Sequence, residues 1–155
     1  MSSPLLDEIR ERRGLAYHVA CSADILPLYG QFVIEGATAP AQAEEFLQAV
    51  QTLLQRQAQG PLDPVALARA RKQLQMRALR SLEQPARRME AAAQELFSFG
   101  QLRDPQQAMA QLQAVSAEQV QAVFAQLLLP GQRPALALAG SVPQRARVCA
   151  QALFS

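Results

Sequence analysis

The sequence predicts an α+β fold: a small, mostly antiparallel sheet with a helical block packed on one face. Two observations carry this. Half of the residues are apolar, only 5% are aromatic and Trp is absent, a palette dominated by Ala, Leu and Gln that favours helix over sheet. Against that background the hydrophobic period changes to alternation in two adjoining segments near the start. At 155 residues the chain has the size of one ordinary domain.

Residues 4–13 read as a short helix. Pro4 suits a first turn, Leu5, Leu6 and Ile9 share a face, and Gly14 is a natural stop just past the C-terminus. From Gly14 onward Leu15, Tyr17, Val19 and Cys21 alternate with Ala16, His18, Ala20 and Ser22, which predicts a strand. Asp24 to Pro27 reads as a turn. A second strand follows at 28–37, with Phe32 and Ile34 on one face and Tyr29, Gln31, Val33 and Glu35 on the other. The pair makes an antiparallel hairpin.

The middle is helical. Phe46, Leu47, Val50, Leu53 and Leu54 recur at helical spacing within 41–59, before Gly60-Pro61. Asp63 caps a helix with Pro64 at its first position, running to about Leu82. Pro85 starts another, through Met89, Leu96 and Phe97 to Gly100. A short helix over 105–113 follows Asp104. Ser116 caps 117–129, where Glu118 lies one residue too early to complete a capping box, and Pro130-Gly131 ends it. The apolar run 134–142 is expected to be a buried third strand, and 143–154 a terminal helix. Three strands make a narrow sheet for so long a helical block, so the sequence reads as the latter part of a larger domain.

Composition excludes several functions. A net charge of +2 is too small to imply a polyanionic partner. The basic residues between Arg56 and Arg88 lack interleaved aromatics and read as a solvated helix face, so no nucleic-acid partner is expected. No apolar run approaches the ~20 residues that span a bilayer, and the charged helix at the start is unlike a signal peptide. Cys21 and Cys149 are too few for a disulfide framework and lack C-x-x-C spacing, so they read as two separate thiols.

The one histidine decides much of the chemistry. Catalytic zinc takes three protein ligands, usually with more than one His. His18 and Cys21 would point to opposite faces of a strand and cannot share an ion, so this chain is expected to bind no metal. A nucleophilic triad would have only His18 as its base, and no G-x-S-x-G elbow or Gly-rich phosphate loop is present. One local pair has more promise. In EIRERRGLAY, Arg10 lies in the last turn of the first helix and Tyr17 follows on the adjoining strand. An Arg fork donates to a peptide carbonyl and a Tyr hydroxyl to a developing oxyanion. Spacing alone favours the ordinary alternative, a surface Arg and a half-buried Tyr.

SSPLLDEIRERRGLAYHV resembles the segment that opens the later half of the C-terminal domain in the insulinase, pitrilysin and mitochondrial processing peptidase family. The likeness continues through YGQFVIEG, LARARKQLQMRALRSLEQPARRMEAAAQEL, VSAEQVQAVFAQLL and PALALAGSV, covering nearly the whole chain. It implies the latter part, residues 1–155, of one metal-free domain that pairs with a zinc-bearing domain or subunit, as a homo- or heterodimer, around a peptide substrate. The partner would carry zinc on an inverted H-x-x-E-H helix, a motif that this sequence lacks. The residues matching the family's substrate-binding Arg and Tyr are Arg10 and Tyr17, with Tyr17 the catalytic oxyanion donor. The isolated chain is therefore expected to hydrolyse nothing. On resemblance the expected compartment is the bacterial periplasm. Two alternatives stand beside this reading: a catalytically silent structural homologue, and an unrelated binding module with a basic helix.

Overall fold

The computed structural model describes residues 4–25, 28–129 and 134–154. Their order is a short helix α1 (Pro4–Leu6) running into a π-helical segment (Asp7–Arg12), strands β1 (His18–Ile25) and β2 (Gly30–Ala37), and a 3-10 turn (Pro40–Gln42). Then come helices α2 (Ala43–Gln59), α3 (Pro64–Leu82), α4 (Pro85–Phe99), α5 (Pro105–Ala114), α6 (Ala117–Leu127) and α7 (Gln144–Phe154). The strands pair in a two-stranded sheet, antiparallel as expected: the Tyr17 amide donates to the Ala37 carbonyl (3.1 Å), and His18 faces Glu35.

The chain forms two compact units. One comprises the residues up to Ala23, Phe32–Gly60 and those from Val123 onward; the other comprises Asp24–Gln31 and Pro61–Ala122. The first holds the core. Leu5, Ile9, Leu15, Ala16, Val19, Phe46, Leu47, Ala49, Val50, Leu53 and Ala150 are buried together. Four of the five α2 positions expected from periodicity are among them, and Leu54 packs partly against the cluster. Spacing of three and four residues puts these side chains on one stripe, which receives α7 and the π-helical segment. The Arg145 guanidinium ties α7 to the start of α2, donating to the Ala41 carbonyl (3.1 Å) beside Glu44 (3.7 Å). Gly36 lets the strand approach α2: a Cβ there would strike the Phe46 ring, with Cε2 at 2.8 Å.

In the second unit α3 packs with α4 and α5. None of those helices has a buried residue among those described. Their starts follow sequence rules closely. Asp63 accepts from the Val65 amide (2.9 Å) and Asp104 from the Gln106 amide (3.0 Å), each with Pro at the next position. Gly100 ends α4 at φ 70°. Arg71, read as part of a solvated face, instead donates through Nη2 to the Val115 carbonyl.

Several expectations are corrected. The first helix is mostly π-helical: the Arg13 amide donates to the Glu8 carbonyl, five residues back. Hydrophobic spacing carries no signal for that extra residue in the turn. The first strand begins at His18 rather than Leu15, because Leu15 is held back by the helix cap. Tyr17, on the face with Leu15 and Val19 by alternation, is exposed while they are buried. Ser116 does form a capping box, completed by Gln119 and not by an acid. The Gln119 amide donates to Ser116 Oγ (3.2 Å), and Gln119 Oε1 accepts from the Ser116 amide (2.8 Å). The run 134–142 is no strand among the described residues, and 134–140 are exposed. Apolar composition cannot make a strand without a neighbouring edge to pair with. The stop at Pro130-Gly131 and part of the turn at Asp24 to Pro27 lie outside the described residues.

Candidate functional site

The segment from Arg10 to Tyr17 is fixed by its backbone. Gly14 adopts φ 59°, the left-handed conformation common just past a helix C-terminus. The Leu15 amide donates to the Ile9 carbonyl (2.9 Å) and the Gly14 amide to the Arg10 carbonyl (3.2 Å). The cap is locked by burial, since Ile9 is 0% and Leu15 2% exposed. Beyond it, the Thr38 hydroxyl donates to the Leu15 carbonyl (2.5 Å) and the Tyr17 amide to the Ala37 carbonyl (3.1 Å). The backbone entering Tyr17 is thus held by two hydrogen bonds to the end of β2.

Its side chain is not held. The Tyr17 ring is 91% exposed, not half-buried. The Arg10 side chain is 52% exposed and pairs with its neighbour Glu11 at 3.5 Å, a contact of little energetic weight in water. Arg12 and Arg13 are engaged otherwise, with Asp7 and Glu8 at 3.4 and 2.8 Å. No hydrogen bond or ion pair joins Arg10 to Tyr17 among the described residues. What joins them is the capped backbone path, which leaves both side chains projecting without a strong partner.

Beside Tyr17 lies an open groove of about 500 Å³ lined by Gly14, Leu15, Ala16, Tyr17, Ala37, Thr38, Ala39 and Gln42. Sequence reasoning missed Thr38 and Gln42, whose amide reaches toward the Gly14 carbonyl (3.4 Å). Both lie more than twenty residues from their partners, so no local pattern could have found them.

His18 is exposed, with Nε2 3.5 Å from Glu35 across the strands. Among the described residues no three His, Cys, Asp or Glu side chains converge as metal ligands would, and Cys21 and Cys149 are both free thiols. This donor set does not fit a zinc site. No helix among the described residues is long and apolar enough to cross a membrane.

Residues 1–74 match the family model described as the inactive domain of M16 peptidases. The chain is 28% identical over 145 residues to an uncharacterized zinc protease of Streptomyces coelicolor, covering 94% of this chain and 31% of that protein. Uncharacterized zinc proteases of Mycobacterium tuberculosis and Mycobacterium leprae match over 128 residues at 27% and 29% identity, 83% of this chain and 29% of theirs. This chain therefore spans less than a third of the length of these relatives. In structure it resembles a chain of complex III2 from Candida albicans with Inz-5 bound, at TM-score 0.66 and 14% identity over 81% of this chain and 30% of that one, a likeness of fold alone. The family match and these relatives together support the insulinase-type, or M16, peptidase family, and within it the C-terminal, inactive domain.

Proposed function

We infer that this chain is the latter part of the metal-free, substrate-binding domain of a zinc peptidase, acting on a peptide bond held at the zinc of a partner domain or subunit. The observation that carries the reading is Tyr17: a residue 91% exposed on a backbone held by two hydrogen bonds to the end of β2. A Tyr so exposed contributes little to its own core, and its hydroxyl is open to a ligand from outside. Arg10 stands on the same capped segment, its guanidinium beside the Glu11 carboxylate.

The partner's zinc would supply the Lewis acid and an activated water. This chain's own residues bind and orient. Arg10 donates to a peptide carbonyl in ground state and transition state alike, so it acts mainly on substrate affinity. Tyr17 donates its hydroxyl proton to the oxyanion that exists only in the transition state, so it acts on turnover.

The test is peptide hydrolysis by the chain assembled with its H-x-x-E-H-bearing partner. Tyr17→Phe keeps the ring and deletes the hydroxyl. It should lower kcat by about two to three decades, or about 2.7–4 kcal/mol. Arg10→Ala should mainly raise KM. Wild-type rates for both folded variants would exclude the reading and leave a catalytically silent structural homologue.

A further inference from the structure

We propose that the groove between the Gly14–Tyr17 turn and the Ala37–Gln42 segment receives one uncharged side chain of the peptide substrate, next to the scissile bond. This rests on the assignment of Tyr17 above and extends it from chemistry to specificity. At about 500 Å³ the groove lies within the range of small-ligand pockets, ~300–1,000 Å³. Tyr17 is one of its lining residues, so an occupant touches the residue assigned to the oxyanion.

The lining chooses the occupant. All eight residues are uncharged. The walls include the small side chains of Ala16, Ala37 and Ala39. The Thr38 hydroxyl is already committed to the Leu15 carbonyl (2.5 Å), and the Gln42 amide reaches toward the Gly14 carbonyl (3.4 Å). An ammonium entering here would find no carboxylate, and a carboxylate would find no cation. Desolvating either without a partner is costly, whereas an apolar or amide side chain gains from burial.

Ala39 is the position at which the groove can be recoded. It is the N-cap residue of the Pro40–Gln42 turn, with φ −67° and ψ 144°, a conformation and position that Asp favours. Ala39→Asp therefore adds a carboxylate to the groove without disturbing the local fold.

The experiment uses the chain assembled with its zinc-bearing partner. The substrates are peptides identical except for Leu, Gln, Lys or Glu at either residue beside the scissile bond. Wild type should cleave the Leu and Gln peptides with kcat/KM about tenfold or more above the Lys and Glu peptides at one of the two positions. Ala39→Asp should raise the Lys peptide relative to the Leu peptide by about tenfold. Ala39→Leu, which fills the groove, should selectively weaken the Leu peptide. A second readout needs no turnover: a reduced-amide Leu peptide should shift the Ala37 and Ala39 methyl resonances of the assembled enzyme, and the Glu analogue should not. Unchanged specificity in both variants, or unshifted methyl resonances, overturns the groove. The two assignments fail separately. Tyr17→Phe slows every peptide alike, while Ala39→Asp changes their order. A changed order alongside a silent Tyr17→Phe would leave the groove standing and remove the oxyanion donor.

Discussion

Gly14 offers a clean separation of stability from function. Its φ of 59° lies in the left-handed region, and a Cβ would meet nothing within 4 Å. Gly14→Ala therefore adds no clash, and its cost is the conformational one alone, about 1–2 kcal/mol. Gly100 is a built-in control. It closes α4 at φ 70° and ψ 0° and also has open space around a Cβ, so Gly100→Ala should cost about the same. For a chain of this length each kcal/mol lowers Tm by about 2–4 °C, which puts both variants about 2–8 °C below wild type. Their functions should diverge. Only Gly14 sets the path between Arg10 and Tyr17, through the amide bonds to Ile9 and Arg10. A misplacement of ~1 Å at such a site can cost about 100-fold in rate. Gly14→Asn should recover much of both losses, because Asn tolerates the left-handed region. The assays are thermal melts and peptide turnover on the same assembled preparations. Equal turnover in Gly14→Ala and Gly100→Ala, despite matched melts, would refute the claim that this cap positions the site.

Other outcomes follow from the same geometry. Gly36→Ala drives a Cβ into the Phe46 ring and toward the His18 carbonyl at 3.3 Å. It should cost about 1–3 kcal/mol in a denaturant melt, with partial rescue by Phe46→Leu; absence of rescue would place the strain elsewhere. Ser116→Ala removes the capping box and should cost about 0.5–2 kcal/mol. The Ser116 hydrogen bond also holds the Glu118 carboxyl below its ordinary value, with help from the Glu118 backbone amide. The accompanying stabilisation is complete above the ordinary Glu value, about 4.3, and is lost as pH falls through the lowered folded value. An NMR titration should find the Glu118 carboxyl moved upward in Ser116→Ala. Elemental analysis of the dialysed chain should find zinc far below stoichiometric, since His18 is the one imidazole; near-stoichiometric zinc would refute the assignment of the metal to a partner.

Much of the architecture was legible in the residues, for a local reason. Asp63-Pro64, Asp104-Pro105, Gly14 and Gly100 each act within one turn of their own backbone, and the α2 stripe repeats at the helical period. Such signals need no knowledge of the rest of the chain. The pair Arg10 and Tyr17 was legible in the same way, as side chains on either side of a glycine stop. Errors arose where the outcome depended on a distant partner. The run 134–142 has a strand's composition, yet pairing needs an edge that composition cannot supply. The capping box at Ser116 is local by contrast: Gln119, three residues on, closes it as an acid would.

The sequence by itself determined most helix starts and stops, the core stripe of α2 and the antiparallel hairpin. These rest on interactions spanning a few residues. Tertiary structure alone decided that Tyr17 is exposed while Leu15 is buried, that Thr38 pins the Leu15 carbonyl, and that an uncharged groove opens beside the ring. Exposure and enclosure are set by what packs against a residue from elsewhere in the chain. In the first unit that packing is the β2 end and α2 brought against the turn at Gly14.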